Sequence, residues 1–257
     1  NSITGEVSTD KVTREFFSTD GSVFTVMPEI VVYPQNEADV SETVRLVATA
    51  AANGNKIPIT ARGKGTDQAG GSLGPGLILA TPAHMKRLIA IDKKTVTVQP
   101  GMIYRELQGV LHSHGRFLPP YPASVDFATI GGAVANNSAG EKTIKYGSTR
   151  NFVESLRVVL ANGEVIETRR LSAKELKQKQ KQPDFEGHLY RNVDYLIEEN
   201  WDTIRDAFPR VSKNSAGYDL WHVKGTDGSF DLGQLIIGSQ GTLGVVTEAK
   251  LRHEPWN

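Results

Sequence analysis

The chain has 257 residues, of which 39% are hydrophobic, and its 29 Lys plus Arg balance 29 Asp plus Glu. That is enough apolar material for a sizeable core, and the zero net charge leaves no global positive field of the kind nucleic-acid binding exploits. With no cysteine the chain holds no disulfide, thiolate metal site, iron–sulfur cluster or cysteinyl link to a prosthetic group, and no run approaches the roughly 20 apolar residues of a membrane helix.

In chain order, the pattern predicts a strand over Ile30–Tyr33, a helix over Asp39–Asn53, a strand over Ile57–Ala61 and a short strand over Leu77–Ala80. These make a small β-α-β lobe spanning residues 1–85. Between its last two strands lies a glycine-dense loop, residues 62–76, beginning Arg62-Gly63-Lys64-Gly65-Thr66-Asp67-Gln68. Glycine permits positive φ, so successive N–H groups can converge into a nest for phosphate oxygens, and Arg62 and Lys64 add charge nearby. The loop is not a Walker A motif, because Gly65 follows Lys64 where Ser or Thr is required. Nor is it the dinucleotide fingerprint, since Gln68 stands where that motif has its third glycine. Taken alone, an ordinary surface loop remains open.

Strands over Leu88–Ile91 and Thr95–Val98 lead to a helix over Tyr104–His114, with Leu107, Val110 and Leu111 on its apolar face and Gly115 at its end. His112 and His114, at i and i+2, diverge on that helix, and no metal site is expected. Then comes a segment rich in prolines and small residues, Pro119 through Gly140. Its prolines, Pro122 among them, fix an extended entry, and Gly131 and Gly132 permit close backbone approach. Ser124, Thr129, Asn136, Asn137 and Ser138 offer short hydrogen-bonding groups. The alternative is a proline turn followed by the start of a small-residue helix.

Ser155–Ala161 and Val165–Thr168 flank Asn162-Gly163, a strong two-residue hairpin signal, so the second lobe, residues 86–257, is expected to be more antiparallel. The polar stretch Ser172–Gln182 follows, where Lys177-Gln178-Lys179-Gln180-Lys181 reads as a solvated face. A helix over Tyr190–Trp201 places Tyr190, Val193, Leu196 and Ile197 on one side. Finally, Leu235–Ile237, Gly238-Ser239-Gln240-Gly241-Thr242-Leu243-Gly244 and Val245–Ala249 read as strand, glycine turn and strand. No Gly-x-Ser-x-Gly elbow is present, so a hydrolase has little support.

In order and spacing, these segments resemble the FAD-binding domain of the p-cresol methylhydroxylase and vanillyl-alcohol oxidase superfamily. The resemblance rests on residues 34–40, Arg62–Thr66, Val98-Gln99-Pro100-Gly101, Thr129–Gly132 with Asn136, Asn137, Ala139 and Gly140, Lys145-Tyr146-Gly147 and Gly238–Gly244. Within that superfamily, Ser18–Ser22 and Lys213-Asn214-Ser215-Ala216-Gly217-Tyr218-Asp219-Leu220 look most like the D-lactate and D-2-hydroxyglutarate dehydrogenase branch. Residues 213–220 argue against the related reductases that use a nicotinamide donor.

The resemblance implies an α+β fold, a two-lobed PCMH-type domain with a small β-α-β lobe and a larger mixed or antiparallel lobe flanked by helices, and FAD between the lobes. By that resemblance the first loop holds the diphosphate, with the backbone N–H groups of Gly63, Lys64, Gly65, Thr66 and Asp67 as donors and Arg62 beside them as a brace of the loop. The Thr129–Gly140 segment, with Thr129, Ile130, Gly131, Gly132, Asn136, Asn137, Ala139 and Gly140, runs along the ribityl chain and ring, and Pro122, Ser124 and Gly147 also bind the cofactor. Gly241, Gly244, Val245 and Val246 approach the ribose and adenine, and Gly238 and Gln240 also bind the cofactor. Thr66 stands where covalent relatives carry histidine, so the flavin is expected to be noncovalent. Three departures stand out: Lys64 replaces a common glycine, Gln240 replaces a common Glu, and Asp67 would repel the phosphates unless its side chain turns outward or caps the next turn.

The expected activity is that of a flavin-dependent oxidoreductase, transferring hydride from a D-2-hydroxy acid of the lactate, glycolate or 2-hydroxyglutarate type to flavin N5. No catalytic residue is assigned. The ends at Asn1-Ser2-Ile3 and Asn257 read as those of one excised domain, whose missing cap would supply the base and the substrate arginine. Electrons would leave to a quinone, an electron carrier or an iron–sulfur partner. The alternative is a noncatalytic FAD-carrying subunit of an oxidase complex. A cytoplasmic setting is expected, with any membrane contact supplied by a partner.

Overall fold

A computed structural model describes residues 2–211, 213–215 and 217–256. Asn1 and Asn257, Ser212, and Ala216 of the Lys213–Leu220 motif lie outside the described residues.

The first sheet comprises β1 (Glu6–Ser8), β2 (Ile30–Tyr33), β3 (Ile59–Arg62) and β4 (Leu77–Ala80), accompanied by α1 (Lys11–Phe17) and α2 (Glu37–Ala52). Its strand order is β1-β2-β4-β3, with β4 parallel to both neighbours and β1 antiparallel on the edge. Strand β4 is apolar throughout because both of its faces are covered. Leu77 and Leu79 meet Val40 and Val44 of α2, whereas Ile78 and Ala80 meet Phe17 of α1. Asn36 caps α2 by accepting the Asp39 N–H, which starts the helix earlier than the apolar pattern suggested. Strand β3 starts later than expected, at Ile59, beyond Pro58, which has no N–H to give a ladder.

The second part contains β5 (Leu88–Ile91), β6 (Thr95–Val98), α3 (Tyr104–Ser113), β7 (Arg116–Phe117), α4 (Ile130–Ala135), α5 (Thr143–Tyr146), β8 (Val153–Val159) and β9 (Val165–Arg169). It continues with α6 (Ala173–Gln180), α7 (Phe185–Glu199), α8 (Trp201–Asp206), α9 (Gly233–Ile236), β10 (Val245–Arg252) and β11 (Glu254–Pro255). Five strands form an antiparallel sheet in the order β5-β6-β10-β8-β9. Strand β10 runs through its centre, burying Val245, Thr247, Ala249 and Leu251 in strict alternation. Helices α3 and α4 cover the sheet through Leu107, Leu111, Ile130 and Val134. The two-lobed α+β architecture is therefore as expected.

Between β9 and β10 the chain builds a third small core from Leu171, Leu176, Tyr190, Ile197, Ile204, Val223, Phe230 and Leu232. The polar stretch there is helical as α6, because Ser172 and Glu175 form a reciprocal capping box and Leu176 is buried. Helix α7 begins at Phe185, where Asp184 accepts the Gly187 N–H. Two residues placed on apolar helix faces are exposed, Val110 and Leu196. In α3 the vacant core position goes to Gln108, buried while pairing with both the N–H and the carbonyl of Leu118.

One element differs in type. Residues 235–237 read as a strand, but Leu235 and Ile236 belong to α9, which opens where Asp231 accepts the Gly233 N–H at 2.8 Å. A short apolar run carries no period that separates the two structures, and the Asp turn decides.

Candidate functional site

The three glycine segments meet. Loop 63–72, segment 122–139 and Gln240 line a cleft of about 680 Å³ together with Lys213 and Ser215. A narrower extension of about 60 Å³ shares Ala61, Gly63, Gly132, Ala135 and Gln240 with it and continues past Gly241, Gly244, Val245 and Val246. The main cleft alone falls within the ~300–1,000 Å³ of ordinary ligand pockets.

The loop owes its shape to what lies behind it. Arg62 is only 5% exposed. Its guanidinium donates to Phe17 O at 3.0 Å and Thr19 O at 2.7 Å, and lies over the Phe17 ring. Burial holds its pKa below the ordinary guanidinium value, with Asp20 opposing. Arg62 therefore braces the loop. Gly65 turns over this guanidinium at φ +68°, and its carbonyl accepts the Gly21 N–H at 2.8 Å.

Asp67 has the capping geometry that keeps it compatible with an anion: its Oδ2 accepts the N–H groups of Ala69 at 3.2 Å and Gly71 at 2.6 Å. Among the described residues, the N–H groups of Lys64, Gly65, Thr66, Asp67 and Gln68 donate to no protein acceptor. A run of unspent N–H groups beside a cleft suits an anionic ligand.

The other walls close on this loop. Gly63 packs on Thr129 so tightly that a β-carbon would lie 2.2 Å from Thr129 Oγ1. That hydroxyl also caps α4 by accepting the Gly132 N–H at 3.2 Å. The third motif joins the end of α4, where Gly238 N–H donates to Val134 O and Gln240 N–H to Ala135 O. Gln240 has a positive φ of 54°, and its Oε1 would lie 2.7 Å from a β-carbon on Gly71.

Of the expected site residues, Gly63, Lys64, Gly65, Thr66, Asp67, Pro122, Ser124, Thr129, Gly132, Asn136, Ala139 and Gln240 line the main cleft. Arg62, Gly131, Gly241, Gly244, Val245 and Val246 line the extension. Ile130, Asn137, Gly140, Gly147 and Gly238 line neither. Ile130 is a core residue of α4. Asn137 is buried at φ +46°, its Oδ1 accepting the Arg150 N–H. Gly140 backs onto Tyr121 O and Gly147 onto Asn151, while Gly238 faces Arg150 and Asn137.

Ser138, expected to offer a hydroxyl, lines the cleft, and Lys213, Ser215, Gly71, Ser72 and Ala123 line it without having been expected there. All of them lie within segments whose composition or branch resemblance had drawn attention, so the motif was legible although the side-chain direction was not.

This set fits an elongated dinucleotide: unspent N–H groups for a diphosphate, hydroxyl and amide groups along the middle, and a narrow glycine and valine slot at one end. The FAD binding domain family matches residues 28–169. D-2-hydroxyglutarate dehydrogenase of Pantoea ananatis (strain AJ13355) is 33% identical over 98% of this chain and 25% of its own length. Glycolate oxidase subunit GlcD of Bacillus subtilis (strain 168) is 33% identical over 89% of this chain and 37% of its own. The chain thus spans about a quarter of the D-2-hydroxyglutarate dehydrogenase relatives it matches. Among solved structures, an alkyldihydroxyacetonephosphate synthase superposes with a TM-score of 0.66 at 21% identity, covering 97% of this chain and 38% of that one, a likeness of fold. With its glycine segments gathered around one cleft and the family match running through two of them, the chain belongs to the FAD binding domain family.

Proposed function

We propose that this chain is the flavin-carrying part of an oxidoreductase that removes hydride from a D-2-hydroxy acid, with FAD held noncovalently in the cleft. The observation that carries the reading is the row of N–H groups from Lys64 to Gln68, unspent among the described residues, beside a cleft that Thr129 and Gln240 also line. Bound flavin supplies a hydride acceptor. The chain's own residues bind and orient it.

In this reading the loop N–H groups balance the diphosphate charge, helped by exposed Lys64, while Arg62 keeps the loop rigid from behind. Ser124, Thr129, Asn136 and Ser138 bring hydroxyl and amide groups to the ribityl region. Gly241, Gly244, Val245 and Val246 present an edge that the ribose and adenine approach. Ile130, Asn137, Gly140, Gly147 and Gly238 act behind the wall, fixing the turns that line it. Residues 1–85 and 86–257 are the two lobes, and a cap beyond this chain supplies the base and substrate arginine.

The substrate class follows the named relatives, among them D-2-hydroxyglutarate dehydrogenase and D-lactate dehydrogenase. Electrons pass to a quinone, an electron carrier or an iron–sulfur partner. Among the described residues no helix is long and apolar enough to cross a membrane, and we place the protein in the cytoplasm, with membrane contact through a partner. The name of GlcD, a glycolate oxidase subunit, favours as a second reading a FAD-carrying subunit within a larger oxidase.

The test is the visible absorption spectrum of the purified chain after FAD addition and desalting, repeated after acid precipitation. Flavin bands that stay with the folded chain and leave in the acid supernatant are expected. A yellow pellet would overturn the noncovalent assignment, and failure to retain FAD would overturn this cleft as a self-sufficient site. Hydride transfer is tested by bleaching of the flavin of the longer protein with D-lactate, glycolate or D-2-hydroxyglutarate.

A further inference from the structure

The charged groups that line the cleft are Lys64, Asp67 and Lys213. Asp67 is engaged by the N–H groups of Ala69 and Gly71. Lys64 belongs to the diphosphate loop already discussed. Lys213 arrives from a distant loop, is exposed, and among the described residues has no hydrogen bond or ion pair. The cleft thus carries, on a wall outside the three glycine segments, an ammonium group with no partner among the described residues.

The placement is built rather than incidental. Residues 213–215 form a partition: Lys213 and Ser215 line the flavin cleft, whereas Asn214 lines a second polar cavity of about 660 Å³ on the other side. The loop is pinned just beyond this partition. Tyr218 Oη lies 2.8 Å from Thr242 Oγ1, and Asp219 pairs with Arg150 at 3.2 Å, both side chains of that pair being nearly buried. Arg150 in turn donates to Gln234 O and Ile237 O, immediately before the third glycine motif, and its N–H fixes Asn137 in the second.

We propose that Lys213 is an anion-binding residue of this cleft, contributing its ammonium to a phosphate or carboxylate oxygen of a bound molecule, with the Arg150–Asp219 pair as the anchor of its loop. The inference rests on the flavin reading of the cleft. Two sources share the chemistry, the FAD diphosphate and the carboxylate of a 2-hydroxy acid. An ammonium in a partly desolvated cleft makes a charge-assisted contact, so its removal weakens the relevant ligand by about tenfold.

The test compares wild type with Lys213→Met, Lys213→Arg and the surface control Lys177→Met. FAD affinity is read by quenching of flavin fluorescence at low and moderate salt, and oxalate binding to the FAD-loaded longer protein by perturbation of the flavin absorbance. Weaker FAD binding in Lys213→Met, with reduced salt sensitivity and recovery in Lys213→Arg, supports the inference with the diphosphate as the source. Unchanged FAD binding with a weakened oxalate response supports it with the carboxylate as the source. If both responses match wild type and the Lys177→Met control, the inference is overturned while the flavin reading stands. A wild-type chain that binds no FAD overturns the reading of the cleft and the inference with it.

Discussion

Gly63 and Thr129 are in contact across the cleft, so closely that a β-carbon on Gly63 would stand 2.2 Å from the Thr129 hydroxyl oxygen. This contact joins the end of β3 to the cap of α4 where the first two glycine segments meet. Gly63→Ala must push Thr129 away or break its bond to the Gly132 N–H. We expect FAD affinity to fall by at least tenfold, measured by fluorescence titration, with a loss of about 1–3 kcal/mol in stability. Gly63→Ala combined with Thr129→Ala relieves the contact, and its affinity should exceed that of Gly63→Ala alone.

Asp67 tests whether the loop holds its own shape. Its carboxylate takes two N–H groups of the following turn, so Asp67→Ala leaves both without that acceptor. The expected cost is about 1 kcal/mol by chemical denaturation, with a weaker hold on FAD at all salt concentrations. Tighter FAD binding in Asp67→Ala would instead mean that its charge repels the ligand.

Arg150 and Asp219 form a nearly buried pair, with side-chain exposures of 13% and 12%. Arg150→Met leaves Asp219 facing the cavity without its guanidinium and frees the carbonyls of Gln234 and Ile237. His222 still holds Asp219 through its N–H at 3.2 Å and its Nδ1 at 2.7 Å, so a loss of about 1–3 kcal/mol is expected from thermal or denaturant unfolding. Removing both partners as Arg150→Met with Asp219→Asn should cost less than the sum of the two single changes.

The Glu37–Arg157 pair ties α2 to β8, at Nη2–Oε1 2.6 Å, and Thr247 of β10 also donates to Glu37. The Arg157 hydrogen bond holds the Glu37 carboxyl below its ordinary value of 4.5, against the opposing effect of burial. A depressed carboxylate stabilises the fold above its unfolded pKa, and that contribution is lost as pH falls through the lower folded value. Both side chains are partly exposed, so Glu37→Gln should cost about 1 kcal/mol or less at pH 7. The gap between wild type and variant, followed by denaturant unfolding, should narrow as pH drops below about 4.5. A gap that widens on acidification would exclude this pair as the cause.

Much of the fold was legible in the sequence because its signals are local. The apolar run Leu77–Ala80 marks a strand covered on both faces. Asn162-Gly163 marks the hairpin between β8 and β9, though not as the two-residue turn expected: Leu160 N–H still reaches Glu164 O, so the loop is Ala161-Asn162-Gly163 with Gly163 at φ +82°. The three glycine segments that meet around the cleft stand out in the sequence by composition alone. By itself, then, the sequence determined the eight strands β2–β6 and β8–β10, the helices α2, α3 and α7, and the segments that build the cleft, but not, among the described residues, the short edge strands or the six shorter helices.

The tertiary structure decided where side chains point and which distant segments meet. Leu235–Ile237 reads as a strand until Asp231 opens a helical turn, and the polar stretch after Ser172 becomes a helix because Leu176 finds a core of its own. Arg62 and Lys64 look alike in a linear motif, yet one is buried against carbonyls behind the loop and the other is exposed at the cleft. The convergence of Gly63, Thr129, Gln240 and Lys213 depends on sheet order and long-range packing. Such contacts join residues far apart in the chain, and no local periodicity encodes them.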